Sequence, residues 1–567
     1  MAYFSQKLNS LRKIPLLAWF FPILIFLLPL QTRLVLFLPE SHIDQSFIFY
    51  NSLFLYLTDI VLVIMIFFWL IIGLFHEKQR SNDNVSGETY KESKLSGKLW
   101  LFHGKQANYI WLLLLLSMVS VIVSRETISN LHLFGLFKLF LMILLFSFIS
   151  NYLWRTVSEN MLSKVIQWSL WAVLASSAIQ GFIAIWQYFI QRSIGLRLLG
   201  EEFIRSFIPG IAKFEILGGQ RWIFDRIFDV SHGTSILVRP YGTFPHPNVL
   251  AAFMVFSLII SMYLYYVSHG TWRRGVIVLA LFIQITTIFI SFSRVALAGF
   301  LISVVIWFIL MRFMGNHLQP TLYQRGEEEG NSLRGKLSSW IVKMKQKIVK
   351  SIISRLLAVF RFSRDTLGIE GGKGEVIDHI DQEEIDKKRT LKKLAMAVIA
   401  SMVIVGILFY PQLLERGVPV SVSSEINMTD ETNQRAISDR LLYQEIAFEM
   451  IKAKPILGVG YKNFVLEMDN YTKEPLKSHQ HQPVHNIYLL IGAETGITGL
   501  IVFLLFIGAI LQSAWKSKLT TLSITFLSIF IGFLFIGLFD HYLWTIQQGQ
   551  LMFFVVSGLL IGALKKH

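Results

Sequence analysis

The sequence predicts an all-α integral membrane protein of about twelve transmembrane helices, with both termini cytoplasmic and a large external loop containing amphipathic helices. Three observations predict it. Of the 567 residues, 53% are hydrophobic and only 16% are charged, and the mean hydropathy of +0.54 lies well above that of a soluble domain. Apolar runs of about twenty residues, enough to cross roughly 30 Å of hydrocarbon as a helix, recur along the chain. Lys and Arg gather in alternate connecting loops, the pattern that orients helices in a membrane.

The apolar runs fall near 14–38, 53–74, 109–123, 130–150, 165–190, 247–268, 275–291, 295–313, 394–410, 487–510, 519–538 and 547–564. The first contains Pro15, Pro22 and Pro29 and no small-residue cleavage site follows it, so it reads as an anchor rather than a removable signal. Lys7, Arg12 and Lys13 precede it, and Lys78, Arg80, Lys91, Lys94, Lys98 and Lys105 fill the second loop, whereas residues 39–52 carry Glu40 and Asp44 and no Lys or Arg. The amino terminus is therefore expected inside, and Arg155, Lys164, Arg273, Arg274, Lys516, Lys518, Lys565 and Lys566 then fall inside as well. On this reading the net charge of +16 reports orientation, not nucleic-acid binding. With no cysteine in the chain, disulfides and thiolate metal sites are excluded.

Residues 1–313 hold the first eight spans and an external basic loop at 191–245; 314–393 form a cytoplasmic loop; 394–567 hold the last four spans and the large external loop 411–486. In the cytoplasmic loop, Arg334 to Arg364 contains nine Lys or Arg and no acid. Leu337, Trp340, Ile341, Met344, Ile348, Ile352 and Phe360 recur there at helical spacing, which predicts an amphipathic helix on the inner leaflet. A flexible acid-rich stretch, 368–386, is expected after it. In the large external loop, Ile437, Leu441, Phe448 and Ile451 form one stripe of a helix over 433–453 that would pack on the membrane body. The basic loop holds Arg192, Arg197, Arg205, Lys213, Arg221, Arg226 and Arg239 on the side where such residues are normally sparse. A positive surface there would attract an anionic ligand, although Glu201, Glu202, Glu215, Asp225 and Asp229 could balance it.

Three constellations fall at the expected outer face. Arg239-Pro-Tyr-Gly-Thr-Phe-Pro-His-Pro-Asn248 is a turn delivering the chain into the sixth span, with Arg239, His246 and Asn248 at the membrane rim. Ser291-Phe-Ser-Arg294 joins two spans with almost no loop, so Arg294 must pair, line a wet cavity or snorkel to the headgroups. His485-Asn486, then Gly496 and Gly499, opens the tenth span, and His485, Leu489, Gly492 and Gly496 share a smooth helical stripe. A lone histidine at such an interface also suits a purely structural hydrogen bond. His479, His481 and His485 raise the question of a metal, but Pro483 intervenes and no external carboxylate cluster is evident, so none is expected.

Taken in order, with Pro455-Ile-Leu-Gly-Val-Gly-Tyr-Lys-Asn-Phe464 and the closing Phe539-Asp-His-Tyr-Leu-Trp544, these elements resemble the O-antigen ligase and polymerase superfamily of membrane glycosyltransferases, over roughly 235–310 and 433–565. The resemblance implies a GT-C-like architecture in a bacterial plasma membrane. It also implies transfer of a glycan from an undecaprenyl diphosphate carrier to an acceptor hydroxyl at the outer face, with neither cofactor nor metal. The partners are then the lipid-linked donor, a glycan or glycolipid acceptor and the membrane lipids. In that chemistry His485 would be the general base, and Arg239 and Arg294 would bind the diphosphate through their planar donor forks. Arg435 or Arg440, together with His246, Asn248, Asn486 and Tyr461, would be possible substrate contacts, with His479, His481, Glu494 and Asp540 behind them. A polymerase or a protein O-oligosaccharyltransferase of the same superfamily would share the donor chemistry. A lipid-linked sugar flippase shares the helix count, but the sequence lacks the internal repeat usual in transporters, and its polar constellations gather at one face.

Overall fold

The computed structural model describes residues 16–36, 41–43, 46–83, 104–124, 129–154, 159–208, 210–215, 236–314, 378–410, 412 and 428–564. All twelve apolar runs carry a helix: α1 (Leu16–Leu27), α2 (Leu57–Asp83), α3 (Lys105–Ser124), α4 (Asn130–Ser147), α5 (Glu159–Ile190), α6 (Pro247–Val267), α7 (Thr271–Ile290), α8 (Arg294–Met314) and α9 (Asp378–Leu408) come first. After α10 (Met428–Ala453) follow α11 (Ile487–Lys516), α12 (Thr521–Ile536) and α13 (Gln547–Leu564). Among the described residues, nine helices are long and apolar enough to cross a membrane, and Leu57–Ile71 and Thr521–Ile536 are shorter apolar helices. The protein is a multi-pass, all-α membrane protein, with three small two-stranded antiparallel sheets among the described residues.

The chain divides into two units, residues 1–312 with 390–567, and residues 313–389. In the second, only 313–314 and 378–389 are described, so the basic helix expected over 334–364 lies outside the described residues. The acid-rich stretch is corrected in part: residues 378–386, expected to be flexible, are helical and open α9.

In the first unit, α6 and α13 sit innermost, with 89% and 100% of their apolar windows buried, against 39% for α3 and 22% for α9. These two central helices begin beside the 239–248 turn and the 539–544 motif, so the best-packed part of the molecule supports those segments. An ion pair inside the body joins three helices. Lys138 of α4 meets Asp59 of α2, and Gln547 of α13 accepts from Lys138 at 3.1 Å and donates to Asp59 at 2.7 Å. Charges at membrane depth persist where each is paired and hydrogen-bonded in this way.

Three expectations are revised. The first apolar run does not continue as a helix: Pro22 removes one backbone donor from α1, the chain turns at Pro29, and Arg33–Leu36 instead pairs antiparallel with Leu53–Tyr56, Arg33 opposite Tyr56. The stripe on α10 is rotated from the predicted one. Tyr443, Ile446, Ala447 and Met450 are the buried positions, while Leu441 and Phe448 are 62% and 50% exposed. The buried set (i, i+3, i+4, i+7) mixes an aromatic and an alanine with the aliphatics, so a search for large aliphatics alone selects the wrong face.

The smooth stripe on α11 is also broken. Gly496 sits at φ 73°, ψ 179° within the helix, and a Cβ there would lie 2.1 Å from the Ile456 carbonyl oxygen. The 455–460 segment fills the break: Val459 and Gly460 donate to the carbonyls of Ala493 and Glu494 at 2.8 and 3.0 Å, and Ile497 donates to Pro455 at 2.8 Å. Gly458, at φ 69°, permits the close approach, since a Cβ there would lie 2.4 Å from the Ala493 oxygen. The glycines of two separate motifs thus form one backbone joint that replaces the hydrogen bonds the helix loses, as an apolar environment requires.

Candidate active site

The site starts from a helix cap. His246, extended at the start of α6, accepts the Asn248 backbone N–H on Nδ1 at 3.2 Å, and Pro247 fills the first helical position, where no donor is needed. The Asn248 side chain is thereby aimed at two groups. Its Oδ1 accepts from the Arg239 guanidinium at 2.7 Å, and its Nδ2 donates to Asp540 Oδ2 at 2.9 Å. Arg239 is 5% exposed, and its Nε donates to the Ser291 carbonyl at 2.6 Å. That carbonyl opens the Ser291–Arg294 corner, where Phe292 adopts φ 51°, a left-handed conformation uncommon for an aromatic residue. Arg294, the first residue of α8, is exposed and, among the described residues, forms neither a hydrogen bond nor an ion pair.

From Asp540 the network reaches two imidazoles. Asp540 Oδ1 accepts the His541 backbone N–H at 2.9 Å, and His541 Nδ1 lies 2.7 Å from Thr545 Oγ1. The Thr545 hydroxyl also faces the His541 carbonyl at 3.2 Å. If its proton goes there, Nδ1 carries the ring proton and Nε2, 3.5 Å from the Tyr50 hydroxyl, is the bare nitrogen. The His485 ring meets His541 edge to face at 5.0 Å and stacks on Tyr443 of α10 at 5.7 Å, 11° from parallel. His485 Nδ1 is buried without a hydrogen-bond partner among the described residues.

Burial lowers the His485 pKa from its ordinary 6.5; Arg440 lowers it further, while Asp540 and Asp439 oppose the shift. His541 lies well below 6.5, first through burial and then through the nearby His485, His246, Lys462 and Arg440. Both shifts favour the neutral ring, the form that can accept a proton. Burial also lowers Lys462, with Glu494 opposing.

The site residues expected from sequence separate into groups. Arg239, His246, Asn248, Asp540 and His485 converge, and Arg440, exposed on α10, acts on both imidazoles through its charge. Arg294 leaves the same corner that Arg239 holds. Asn486 caps α11, with Oδ1 accepting from Tyr488 and Leu489 at 2.9 and 3.0 Å and Nδ2 donating to Leu538 at 3.0 Å, so its amide is committed to the fold. Tyr461 is fully buried, its hydroxyl without a hydrogen-bond partner among the described residues and its ring 6.5 Å from Trp544. His481 pairs with Asp469 at 3.1 Å, and His479 is exposed. Glu494 is buried beside Lys462, and the side chain of Arg435 lies outside the described residues. Sequence reasoning missed His541, Tyr50 and Tyr443. Only His541 left a signal, standing next to Asp540 in the closing motif.

His485, Asp540 and His541 offer one ligand atom each, all within 4.8 Å of one another, a set that could hold a metal ion and that differs from the three histidines weighed in the sequence. Both Asp540 oxygens and His541 Nδ1 already have hydrogen-bond partners, so the set is partly spent on the protein itself.

Residues 385–504 match the O-antigen ligase family model, a stretch that includes Arg440, Tyr461, His485 and Asn486. A candidate polysaccharide ligase of Rickettsia felis is 29% identical over 187 residues, 31% of this chain and 42% of that protein. Counterparts in Rickettsia typhi and Rickettsia prowazekii are 28% and 27% identical over 184 residues, each covering 31% of this chain and 43% of the relative. The chain thus spans less than half the length of the relatives it matches. The family match falls on the segment that carries His485, and the flanking motifs close onto that histidine in space; over this segment the chain is similar to the O-antigen ligases.

Proposed function

We propose that this protein transfers a glycan from an undecaprenyl diphosphate carrier to an acceptor hydroxyl at the outer face of a bacterial plasma membrane. The observation that carries the reading is the junction at one end of the bundle where neutral His485, a carboxylate and a held arginine meet. His485 takes the proton of the acceptor hydroxyl as its oxygen attacks the anomeric carbon. The bond from that carbon to the phosphate oxygen breaks, and the carrier diphosphate departs with the electron pair, inverting the centre. A neutral base suits this step, and a general base of this kind contributes roughly 10²- to 10⁴-fold.

The developing negative charge on the diphosphate would fall to the arginines. Arg294 has its whole donor fork available among the described residues. Arg239, held at a fixed position by its bonds to Ser291 and Asn248, would add positive charge beside it. Arg440 adds positive charge beside the imidazoles. The reaction needs no metal, and a chelator-treated preparation is expected to keep full turnover. A ligase is preferred here over a polymerase or a protein-glycosylating relative, which would differ only in the acceptor. Reconstitution of the purified protein with lipid-linked oligosaccharide and a panel of glycolipid, glycan and peptide acceptors tests the reading. A transferred glycan with inverted linkage is expected, and movement of intact donor across the bilayer without transfer would replace the enzyme by a flippase.

A further inference from the structure

Beside the 239–248 turn, the loop after α5 encloses a cleft of about 440 Å³ lined by Trp186, Arg192, Arg197, Glu201, Phe203 and Arg205. The acids Glu201 and Glu202 of this loop are engaged away from Arg192, Arg197 and Arg205. Glu201 accepts the backbone N–H groups of Ile194, Gly195 and Leu196 at 2.5–2.7 Å and the Gln187 amide at 2.8 Å. Glu202 pairs with Arg33 at 2.8 Å. Arg192 and Arg197 are exposed and Arg205 is half-buried, and among the described residues none of the three forms an ion pair or a side-chain hydrogen bond. Arg197 and Arg205 flank the Phe203 ring at 5.5 and 5.7 Å. The loop is therefore folded around a buried acid, while Arg192, Arg197 and Arg205 have no ion pair among the described residues.

Its surroundings are apolar and outward-facing. Phe182 and Trp186, one turn apart at the end of α5, are 62% and 50% exposed, and Leu198 and Phe207 are 89% and 76% exposed. Such side chains on a membrane helix and the loop that follows it belong against acyl chains and the headgroup boundary, where arginines meet phosphate.

We propose that this cleft binds the phosphate headgroup of a membrane lipid, with Arg192, Arg197 and Arg205 on the phosphate and Leu198 and Phe207 on the chains. A soluble anion would leave the exposed apolar side chains without a role, whereas a phospholipid or phosphoglycolipid satisfies both halves. The cleft is coupled to the turn that carries Arg239 through one side chain: Gln187 donates to Glu201 and to the Gly242 carbonyl at 2.9 Å, and accepts from the Tyr241 and Gly242 N–H groups at 3.0 and 2.7 Å. A lipid held here would sit one hydrogen-bonded layer from the candidate site.

The proposal concerns binding alone and stands or falls apart from glycan transfer. The delipidated full chain in a neutral detergent is titrated with dioleoyl phosphatidic acid, with dioleoylglycerol and with inorganic phosphate, and occupancy is read by native mass spectrometry. Phosphatidic acid should bind well above dioleoylglycerol and resist competition by inorganic phosphate. Arg192→Gln/Arg197→Gln/Arg205→Gln should weaken it on the order of 10²-fold. If that variant does not fold, Arg192→Glu/Arg197→Glu, which alters only exposed side chains, carries the same test. Equal affinity in wild type and a folded variant would mean annular lipid only, and displacement by inorganic phosphate would mean an anion site without lipid; either result overturns the assignment.

Discussion

The 239–248 turn and the 291–294 corner each supply an arginine to the same end of the molecule, and the chain treats the two oppositely. Arg239 is buried, gripped by a backbone carbonyl and by an amide that is itself fixed to Asp540. Arg294 is exposed and unpaired among the described residues. One guanidinium is thus part of the scaffold that holds Asn248 against Asp540, and the other is the one we propose for a ligand. Two arginines with the same sequence rationale can have different energetic duties, and only their partners tell them apart.

The largest expected effect follows from the grip on Arg239. Arg239→Ala strands the Ser291 carbonyl and the Asn248 amide in a buried setting, at about 1–3 kcal/mol for each unpaired group. It should lower the unfolding midpoint in detergent as well as abolish transfer. Arg294→Ala should leave that midpoint within about 0.5 kcal/mol of wild type while lowering turnover on the order of 10²- to 10³-fold, and Arg294→Lys should recover only part of it. Equal destabilisation by the two alanine variants would erase the distinction between the corners.

A smaller effect sharpens the same contrast through pH. The His485 pKa lies below 6.5, so a rate that needs its neutral form should be flat near pH 7 and fall only as pH drops through that lowered value. Arg440 depresses this pKa, so Arg440→Gln should move the acid limb up toward 6.5; Asp540 raises it, so Asp540→Asn should move the limb further down, with a loss of rate from the broken contact to Asn248. Identical acid limbs in all three proteins would show that another group sets the profile.

These contrasts mark how far the sequence could be read. The helices were legible because a twenty-residue apolar run has little alternative in lipid; the first run is the exception, helical only over Leu16–Leu27 before it turns into the strand Arg33–Leu36. The meeting of Arg239, Asn248 and His485 was legible as an ordered set of motifs on one face. Asn486 was not separable from a ligand-binding amide, because capping and binding ask for the same residue type. The break at Gly496 was hidden for a related reason: a small residue on a helical stripe and a small residue at a backbone crossing look alike until the 455–460 segment is seen lying against it. Tyr443 and Tyr50 carried no pattern, since ring contacts between distant segments leave no local trace. The rotated face of α10 was missed because Ala447 and Tyr443 do the packing there instead of leucines.

The central claim is that His485 accepts the acceptor's proton, and the most direct measurement is single-turnover transfer by purified His485→Ala and His485→Gln proteins in the reconstituted assay, beside a binding measurement with the lipid-linked donor. Both variants should insert, melt near wild type and bind donor within a few-fold, because the imidazole Nδ1 has no hydrogen-bond partner among the described residues, while the transfer rate falls by about 10²-fold or more. Transfer above about a tenth of the wild-type rate, with donor binding unchanged, would contradict the account and leave His485 as a ring packed between Tyr443 and His541.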